Sequence, residues 1–544
     1  MTVVIAPEGV RREDFERVHT YGGIAFGPSL GAGATMPGRL AARARARGDD
    51  PFLTTFSEKG EEHTLSYGEF DLLSRQVGVW ITRTTGVGAG DVAALLPAND
   101  ALSIAALFAL QRSGCAVLLL NPGDPPDRLR QQTGRLAAKA VLRSPSVADT
   151  VLTEAVELPA APPSRTDAAA HPASAPLDPW SDALFFGTSG STAASKLVAQ
   201  SHYNAAANAD ALVRHHALRP GDRLLGCLPV HHVNGLHFTV FGTLTAGAHL
   251  ILAREFDPFG YPELVERFRP RVASVVPSIL ETMLAVRQPT LPSAFDYFVT
   301  AAAPLTAATA RAMAHQVGAR VLQGYGLTET TNFSTTMPAD LPEDSYRRMM
   351  LDTDIPSIGT PFPGNDVAVL TDRGDRAAPG ETGEICMRGT NVMTRYAGNP
   401  EATAQAFADG WFHSGDTGFH HVDAETGRTF FVITGRRKNI AKVRGESVSL
   451  DEMDRVLRSV PQVVDAAAVA VPHRFLGEEI VAAVVLAPGT PDVDLRPALS
   501  AVFSPTVHPS RVARLEAIPR TRTGKVLRPE LTRQLSGSGP DTPP

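Results

Sequence analysis

Leu184–His202 reads LFFGTSGSTAASKLVAQSH, a strand-like apolar run that opens into a loop of glycine and small hydroxyl residues and closes on Lys196. Thr188, Ser189, Gly190, Ser191 and Thr192 offer consecutive backbone N–H groups and short hydroxyls to anionic oxygens, and Lys196 adds a mobile point charge. Such a loop holds polyphosphate. It is not a Walker loop, because the spacing G-x-x-x-x-G-K-[ST] does not occur. Similar clusters also form plain surface loops, so the reading depends on what surrounds this one.

On the N-terminal side, Thr64–Leu142 alternates helical and strand-like pieces: a helix over Tyr67–Thr82, a strand Val92–Pro97, a helix Leu102–Ser113 and the apolar strand Ala116–Asn121. This βαβ rhythm predicts a parallel sheet covered by helices. Leu158–Asp182 is rich in Pro, Ala and Ser and reads as an exposed connection. Beyond the loop a second α/β round offers strands at Arg223–Val230, His249–Ala253, Ser274–Ser278 and Tyr297–Leu305. Short β pieces with turn signals then fill a β-rich subdomain over 358–434. The charged stretch GRRKNIAKVRGE (Gly435–Glu446) marks a boundary. The fold expected is α/β: a large N-terminal domain (1–434) of two parallel βαβ-type sheets plus the β-rich subdomain, a hinge (435–440), and a small α+β domain (441–535). That last domain has a helix at Leu450–Val460 and two apolar strands, and the Ser-Gly-Pro tail 536–544 is expected to be disordered.

A chain of 544 residues favours several domains, and its net charge of −6 gives no reason to expect a nucleic-acid partner. Cys115, Cys227 and Cys386 are odd in number and widely spaced, which excludes a full disulfide framework and fits a reducing compartment. No secretory signal or membrane-spanning run is visible, so a cytoplasmic protein is expected.

Five further segments accompany the loop: LPVHHVNGLH (Leu228–His237), QGYGLTET (Gln323–Thr330), Gly380–Gly418 with WFHSGDTG, the charged linker, and PRTRTGKVLR (Pro519–Arg528). Together, in this order, they make the chain resemble the adenylate-forming superfamily of acyl-CoA synthetases, carrier-protein-dependent adenylation domains and luciferases, over about Thr64 to Arg528. The resemblance implies an ATP- and Mg²⁺-dependent ligase with a mobile C-terminal domain. It would convert a small-molecule acid to an acyl-adenylate, releasing pyrophosphate, and pass the acyl group to a thiol of CoA or of an acyl carrier protein's phosphopantetheine.

By the same resemblance Glu329 is the magnesium ligand, Thr328 contacts a phosphate, and Tyr325 with Gly324 borders adenine. Asp416 accepts from the ribose hydroxyls and Arg436 reaches the ribose or its phosphate; a mere salt bridge is the alternative for either. Lys525 spans the substrate carboxylate and the α-phosphate during adenylation. Lys438 is the hinge, and Lys442, Gly445 and Glu446 belong to the acceptor channel. His232 lines the carboxylate pocket; a metal site with His231 and His237 is set aside because no zinc spacing fits. Asn234, Gly235, His237, Ala301, Ala302, Ala303 and Asn332 are acyl-pocket candidates, whose small side chains leave room for an aryl or bulky acid. An aspartate for a substrate ammonium is missing, which disfavours an α-amino acid.

The phosphate loop departs from the usual Thr-Gly-x-Pro-Lys-Gly, reading Thr192-Ala193-Ala194-Ser195-Lys196-Leu197. If relatives use positive φ at those glycines, Ala193 and Leu197 carry strain or take another path. Two alternatives therefore stand beside the ligase: an atypical member using ATP for nitrite-dependent diazotisation of an aryl amine in a biosynthetic pathway, and a catalytically silent nucleotide-binding protein.

Overall fold

The structure, a computed structural model, describes residues 6–21, 35–159, 177–188, 196–443, 446–473, 477–491, 493–521 and 524–536. Most of the expected connection 158–182 and the tail beyond 536 lie outside the described residues. The chain divides into two compact units: one of 1–367, 386–413 and 423–430, the other of 368–385, 414–422 and 431–544.

The larger unit holds two sheets. In the seven-stranded one, Val92–Leu96 lies parallel between Ala116–Leu119 and Ala140–Arg143, and Ala116–Leu119 lies parallel to Asp182–Gly187. Beyond Lys196 the chain returns antiparallel as Leu197–Ser201, and Arg395–Tyr396 adds an antiparallel edge. The nine-stranded sheet has a parallel centre of Arg320–Tyr325, Tyr297–Thr300, Val272–Val275, Arg223–Gly226, His249–Leu252 and Pro51–Phe56. The α/β expectation of two largely parallel sheets is therefore met.

Local chemistry explains the elements. The helix Tyr67–Thr85 begins with a reciprocal capping box between Ser66 and Glu69 and ends on Gly86 in the left-handed region, φ 67°. The helix Ala101–Arg112, capped by Asp100, is apolar nearly all round and buried from Ser103 onward. Its one charge, Arg112, is fully buried against Asp71, which also takes Arg75 at 2.8 Å. Where the sequence reading ran a strand over Ser274–Ser278, the strand stops at Val275, because Pro277 opens the helix Pro277–Ala285 at its first turn. All three cysteines are buried and free; burial pushes the Cys115 thiol up to about 11 and that of Cys227 to about 12, so neither is a ready nucleophile.

Asn365–Leu370, Gly383–Gly389, Phe412–Val422 and Thr429–Arg436 form a four-stranded sheet, and the division between the units cuts each strand. In the smaller unit the strands Val463–His473 and Gly477–Leu486 form a long antiparallel pair. Their period of two sorts side chains to opposite faces. Ala466, Ala468, Ile480 and Ala482 join a core with Met453 and Leu457, whereas Ala467, Val469, Val481 and Ala483 join one with Leu531 and Leu535. Within the charged linker, Ile440–Val443 pairs antiparallel with Glu446–Ser449.

Candidate active site

The strand Leu197–Ser201 organises the larger unit's candidate residues. Alternation sends Leu197 and Ala199 into an apolar core. The opposite face is polar at both ends, with Lys196 and Gln200. Lys196, exposed, lies with its ammonium 4.4 Å from the centre of the Tyr396 ring. Tyr396 stands opposite Val198 in the antiparallel pair, which places its ring on the lysine's face. Its hydroxyl donates to Glu329 Oε1 at 2.8 Å. Burial, and then the Glu329 carboxylate, raise the phenol's pKa, so it remains a protonated donor.

Fully buried Gln200 bridges two candidates: its Nε2 donates to Thr328 O at 2.9 Å, and its Oε1 accepts from His237 Nε2 at 2.8 Å. That orientation fixes His237 as the Nε2–H tautomer, leaving buried Nδ1 without a hydrogen-bond partner among the described residues. Burial lowers the His237 pKa to about 3, so it is neutral at physiological pH.

The turn bearing Glu329 is laced from behind. Met393 N–H donates to Glu329 O at 2.7 Å, and Thr331 Oγ1 donates to Asn391 O at 2.6 Å. Gly326 is required here, because a Cβ would overlap Asn332 O. Thr331 itself sits at φ 62°, costly for a β-branched residue and of the kind that collects at working sites.

The acyl-pocket candidates divide. Asn234, Gly235 and His237 lie on a π-helical stretch, Asn234–Phe241. Asn234 Oδ1 accepts from Ser274 at 3.2 Å. Gly235 does not supply open room: a Cβ there would overlap Pro229 O, and one on Gly324 would press on the Phe333 ring. Their small size serves packing. Ala301 is buried after the strand Tyr297–Thr300, and exposed Ala302 takes φ 72°. Ala303 is half-buried and Asn332 buried. His232 is half-buried, its ring 4.4 Å from that of His231, and Tyr325 is buried at the end of its strand. Thr188, at the start of the candidate phosphate loop, donates its N–H to Lys196 O at 2.9 Å, and its carbonyl accepts from Arg128 Nη2 at 3.0 Å. Ser189, Gly190, Ser191, Thr192 and Gly445 lie outside the described residues. Leu197 escapes the strain its loss of glycine implied, since it starts an extended strand, pairs with Gly187 and is fully buried.

The smaller unit carries Asp416, Arg436, Lys438, Lys442, Glu446 and Lys525. Arg436 Nε lies 2.8 Å from Asp416 Oδ1, a carboxylate only 4% exposed. The Arg436 N–H donates to Asp451, which also takes Asn439 and Arg528. Lys438 is exposed on a single turn, Arg437–Asn439. Lys442 and Glu446 are exposed on the two paired strands of the linker. Lys525 closes a hairpin in which Thr521 N–H donates to Lys525 O at 2.8 Å and Thr521 Oγ1 accepts from Lys525 N–H at 3.1 Å. Arg520 braces that hairpin, forking onto Asp465 at 2.7 and 2.9 Å while donating to Gly524 O at 2.7 Å.

Sequence reasoning missed Gln200, Tyr396 and Arg520. A polar residue at even spacing from Lys196 along an apolar strand was the one local sign of Gln200.

The family model described as AMP-binding enzyme matches residues 40–397, and that described as AMP-binding enzyme C-terminal domain matches residues 452–525. The chain is 30% identical over 519 residues to a sulfoacetate–CoA ligase of Cupriavidus necator, covering 91% of this chain and 97% of that protein. It is 31% identical over 480 residues to a feruloyl-CoA synthase of an Amycolatopsis species, covering 87% and 94%. Among solved structures it is similar to ATP-bound MatB from Rhodopseudomonas palustris, with a TM-score of 0.78, 27% identity, and 92% and 98% of the two chains covered. These relatives favour a ligase over the nitrite-activating and silent alternatives. Among the described residues no helix is long and apolar enough to cross a membrane. The chain belongs to the AMP-binding enzyme family and is an AMP-forming ligase of the acyl-CoA synthetase type.

Proposed function

We propose that this ligase activates a non-amino carboxylic acid and transfers the acyl group to CoA, with Glu329, Lys196, Asp416 and Lys525 as its principal charged groups. The observation that carries the reading is the Tyr396 side chain, which touches both the Glu329 carboxylate and the Lys196 ammonium. A polyphosphate and its counter-cation need just such a neighbouring carboxylate and ammonium.

The donor set fits magnesium. Glu329 is half-buried, with one carboxylate oxygen oriented by Tyr396, and Mg²⁺ is usually held by one or two carboxylates plus phosphate oxygens and water. When bound, the ion neutralises and orients the ATP phosphates. Lys196 adds a point charge to the same phosphates. Asp416 accepts from the ribose hydroxyls, with Arg436 steering its carboxylate. Lys525 neutralises charge while the acid oxygen bonds to the α-phosphorus and the bond to the leaving pyrophosphate breaks. In the second half-reaction the thiol sulfur bonds to the acyl carbon, the bond to AMP breaks, and the thiol proton passes to solvent. Lys438 serves as the pivot between the two half-reactions, and Lys442 and Glu446 belong to the second.

The acid's class follows from the absence of an aspartate for an ammonium and from the relatives, a sulfoacetate–CoA ligase and a feruloyl-CoA synthase. ATP–pyrophosphate exchange measured over small dianionic acids such as sulfoacetate, aryl acids such as ferulate, and amino acids tests this. Exchange supported by one of the first two classes, followed by thioester formation with CoA, is expected. Exchange with amino acids only would overturn it; AMP release followed by transfer to a purified carrier protein but not to CoA would correct the acceptor.

A further inference from the structure

Tyr396 lies within Gly380–Gly418 without being one of the candidate residues of the sequence reading, yet it joins two of them, Glu329 and Lys196. It sits on the short edge strand Arg395–Tyr396, just before the helix Pro400–Ala406 that Asn399 caps. Its backbone is pinned on two sides: its N–H donates to Thr403 Oγ1 at 3.1 Å, and the strand pairs Arg395 with Ala199 and Tyr396 with Val198. The side chain is 5% exposed, and the ring has one face to the Lys196 ammonium while the hydroxyl reaches Glu329. A carboxylate on a three-bond stem rotates freely, and one hydrogen bond from a locked phenol removes that freedom. A lysine on a four-carbon stem is likewise limited by a ring that attracts it.

We propose that Tyr396 is a positioning residue of the nucleotide site, aiming the Glu329 carboxylate through its hydroxyl and seating Lys196 through its ring. The inference rests on the reading of Glu329 as the carboxylate that holds Mg²⁺. The two halves of the side chain have separable consequences. The hydroxyl governs how well the Glu329 carboxylate receives the metal, and the ring governs where the lysine charge waits for phosphate. Groups that orient a metal's ligand typically change metal affinity by about 10- to 100-fold when removed.

The test needs no knowledge of the acid. Binding of the fluorescent nucleotide mant-ATP to the full-length protein is followed as MgCl₂ is titrated, and again without magnesium, for the parent, Tyr396→Phe, Tyr396→Leu, Glu329→Gln and the double variant Glu329→Gln/Tyr396→Phe. Tyr396→Phe keeps the ring and is expected to need about tenfold more Mg²⁺ for half-maximal binding, with magnesium-free affinity and nucleotide-free melting temperature unchanged. Tyr396→Leu is expected to add a loss of about threefold in magnesium-free affinity, the scale of an exposed cation–π contact. The double variant should match Glu329→Gln alone, because the hydroxyl acts through that carboxylate. A Tyr396→Phe magnesium curve that overlays the parent's while Glu329→Gln shifts it would overturn the positioning role and leave the reading of Glu329 standing. Glu329→Gln overlaying the parent would remove the metal reading and the inference with it. A double variant weaker than Glu329→Gln alone would also overturn it, showing that the hydroxyl acts elsewhere.

Discussion

The two units hold their candidate residues by different physics. In the larger one, Glu329, Thr328 and His237 are fixed by hydrogen bonds to the uncharged side chains of Tyr396 and Gln200 in buried surroundings. In the smaller one, three of the candidate groups are held by opposite charge: Asp416 by Arg436, the Lys525 hairpin by Arg520 and Asp465, and the Arg436 backbone by Asp451, itself paired with Arg528. A neutral buried hydrogen bond is directional and leaves few alternatives when broken. A half-exposed ion pair is softer, screened by salt and able to exchange one partner for another at small cost. On the proposed function, rigid donors would present one geometry to polyphosphate, and exchangeable pairs would serve groups used in one half-reaction and withdrawn in the next.

The largest effect should come from breaking the smaller unit's most buried pairing. Arg528 lies 2.8 Å from Asp454, a carboxylate only 5% exposed whose pKa burial pushes up, and Arg528→Met would leave that charge without its partner. A loss of about 3–5 kcal/mol is expected. Hydrogen exchange resolved by segment should speed up along Val463–His473 and leave Val92–Leu96 untouched. Equal acceleration in both segments would show that the two regions unfold as one body and erase the comparison.

Next comes Lys525→Ala. Because the lysine sits half-buried at the end of a braced hairpin and fills no core, its removal should leave the melting temperature unchanged. Adenylation, followed as pyrophosphate exchange with whichever acid supports it, should fall at least about 100-fold, roughly 2.7 kcal/mol of barrier. Binding of mant-ATP should stay within about threefold, since the contact proposed for Lys525 forms only in the transition state. An exchange rate equal to the parent's would remove Lys525 from the mechanism.

Acid should separate the regions more gently. Burial lowers the pKa of His202 and His215 to about 4 and of His237 to about 3, and all three belong to the larger unit. Among the described residues no histidine of the smaller unit is buried. Each depressed histidine is neutral when folded, while the unfolded chain takes up a proton near pH 6.5. The stability each contributes above pH 6.5 is therefore lost as pH falls toward 3 to 4, at about 1.4 kcal/mol per pH unit per histidine. Segment-resolved exchange between pH 7 and 5, corrected for intrinsic rates, should weaken the helix His202–His215 before the strand Gly477–Leu486. The reverse order would contradict the assignment of these histidines as neutral.

What the sequence made legible, and what it hid, follows the same division of labour between local and long-range physics. The βαβ rhythm of Thr64–Leu142 was readable because period and turn chemistry are local, and its helices and strands appear within a few residues of their expected bounds. The loop Thr188–Lys196, Glu329 and Lys525 could be named as candidates because their chemistry is concentrated in short segments. Tyr396 was not, because its meaning comes from pairing with a strand some two hundred residues earlier. At Leu197 the sequence left strain or another backbone path open, and strand pairing with Gly187 selects the other path. Nor does residue type announce the left-handed conformations of Ala302 and Thr331.

Those two residues give the smallest and most discriminating test. Both hold positive φ without being glycine, yet Thr331 is fully buried with its hydroxyl bound to Asn391 O, whereas Ala302 is exposed. A left-handed alanine costs about 1–2 kcal/mol, and glycine removes that cost but adds about 0.5–1 kcal/mol of unfolded-chain entropy. Ala302→Gly should therefore raise stability by no more than about 1 kcal/mol with exchange activity kept, since glycine preserves the backbone path. Thr331→Gly relieves similar strain but deletes the 2.6 Å bond that ties the Glu329 turn to Asn391. It should gain no stability and should raise the magnesium needed for mant-ATP binding. If instead both substitutions stabilise equally and neither touches magnesium dependence, the strain beside Glu329 is incidental, and the rigidity attributed to the larger unit's site must come from the Gln200 and Tyr396 side chains alone.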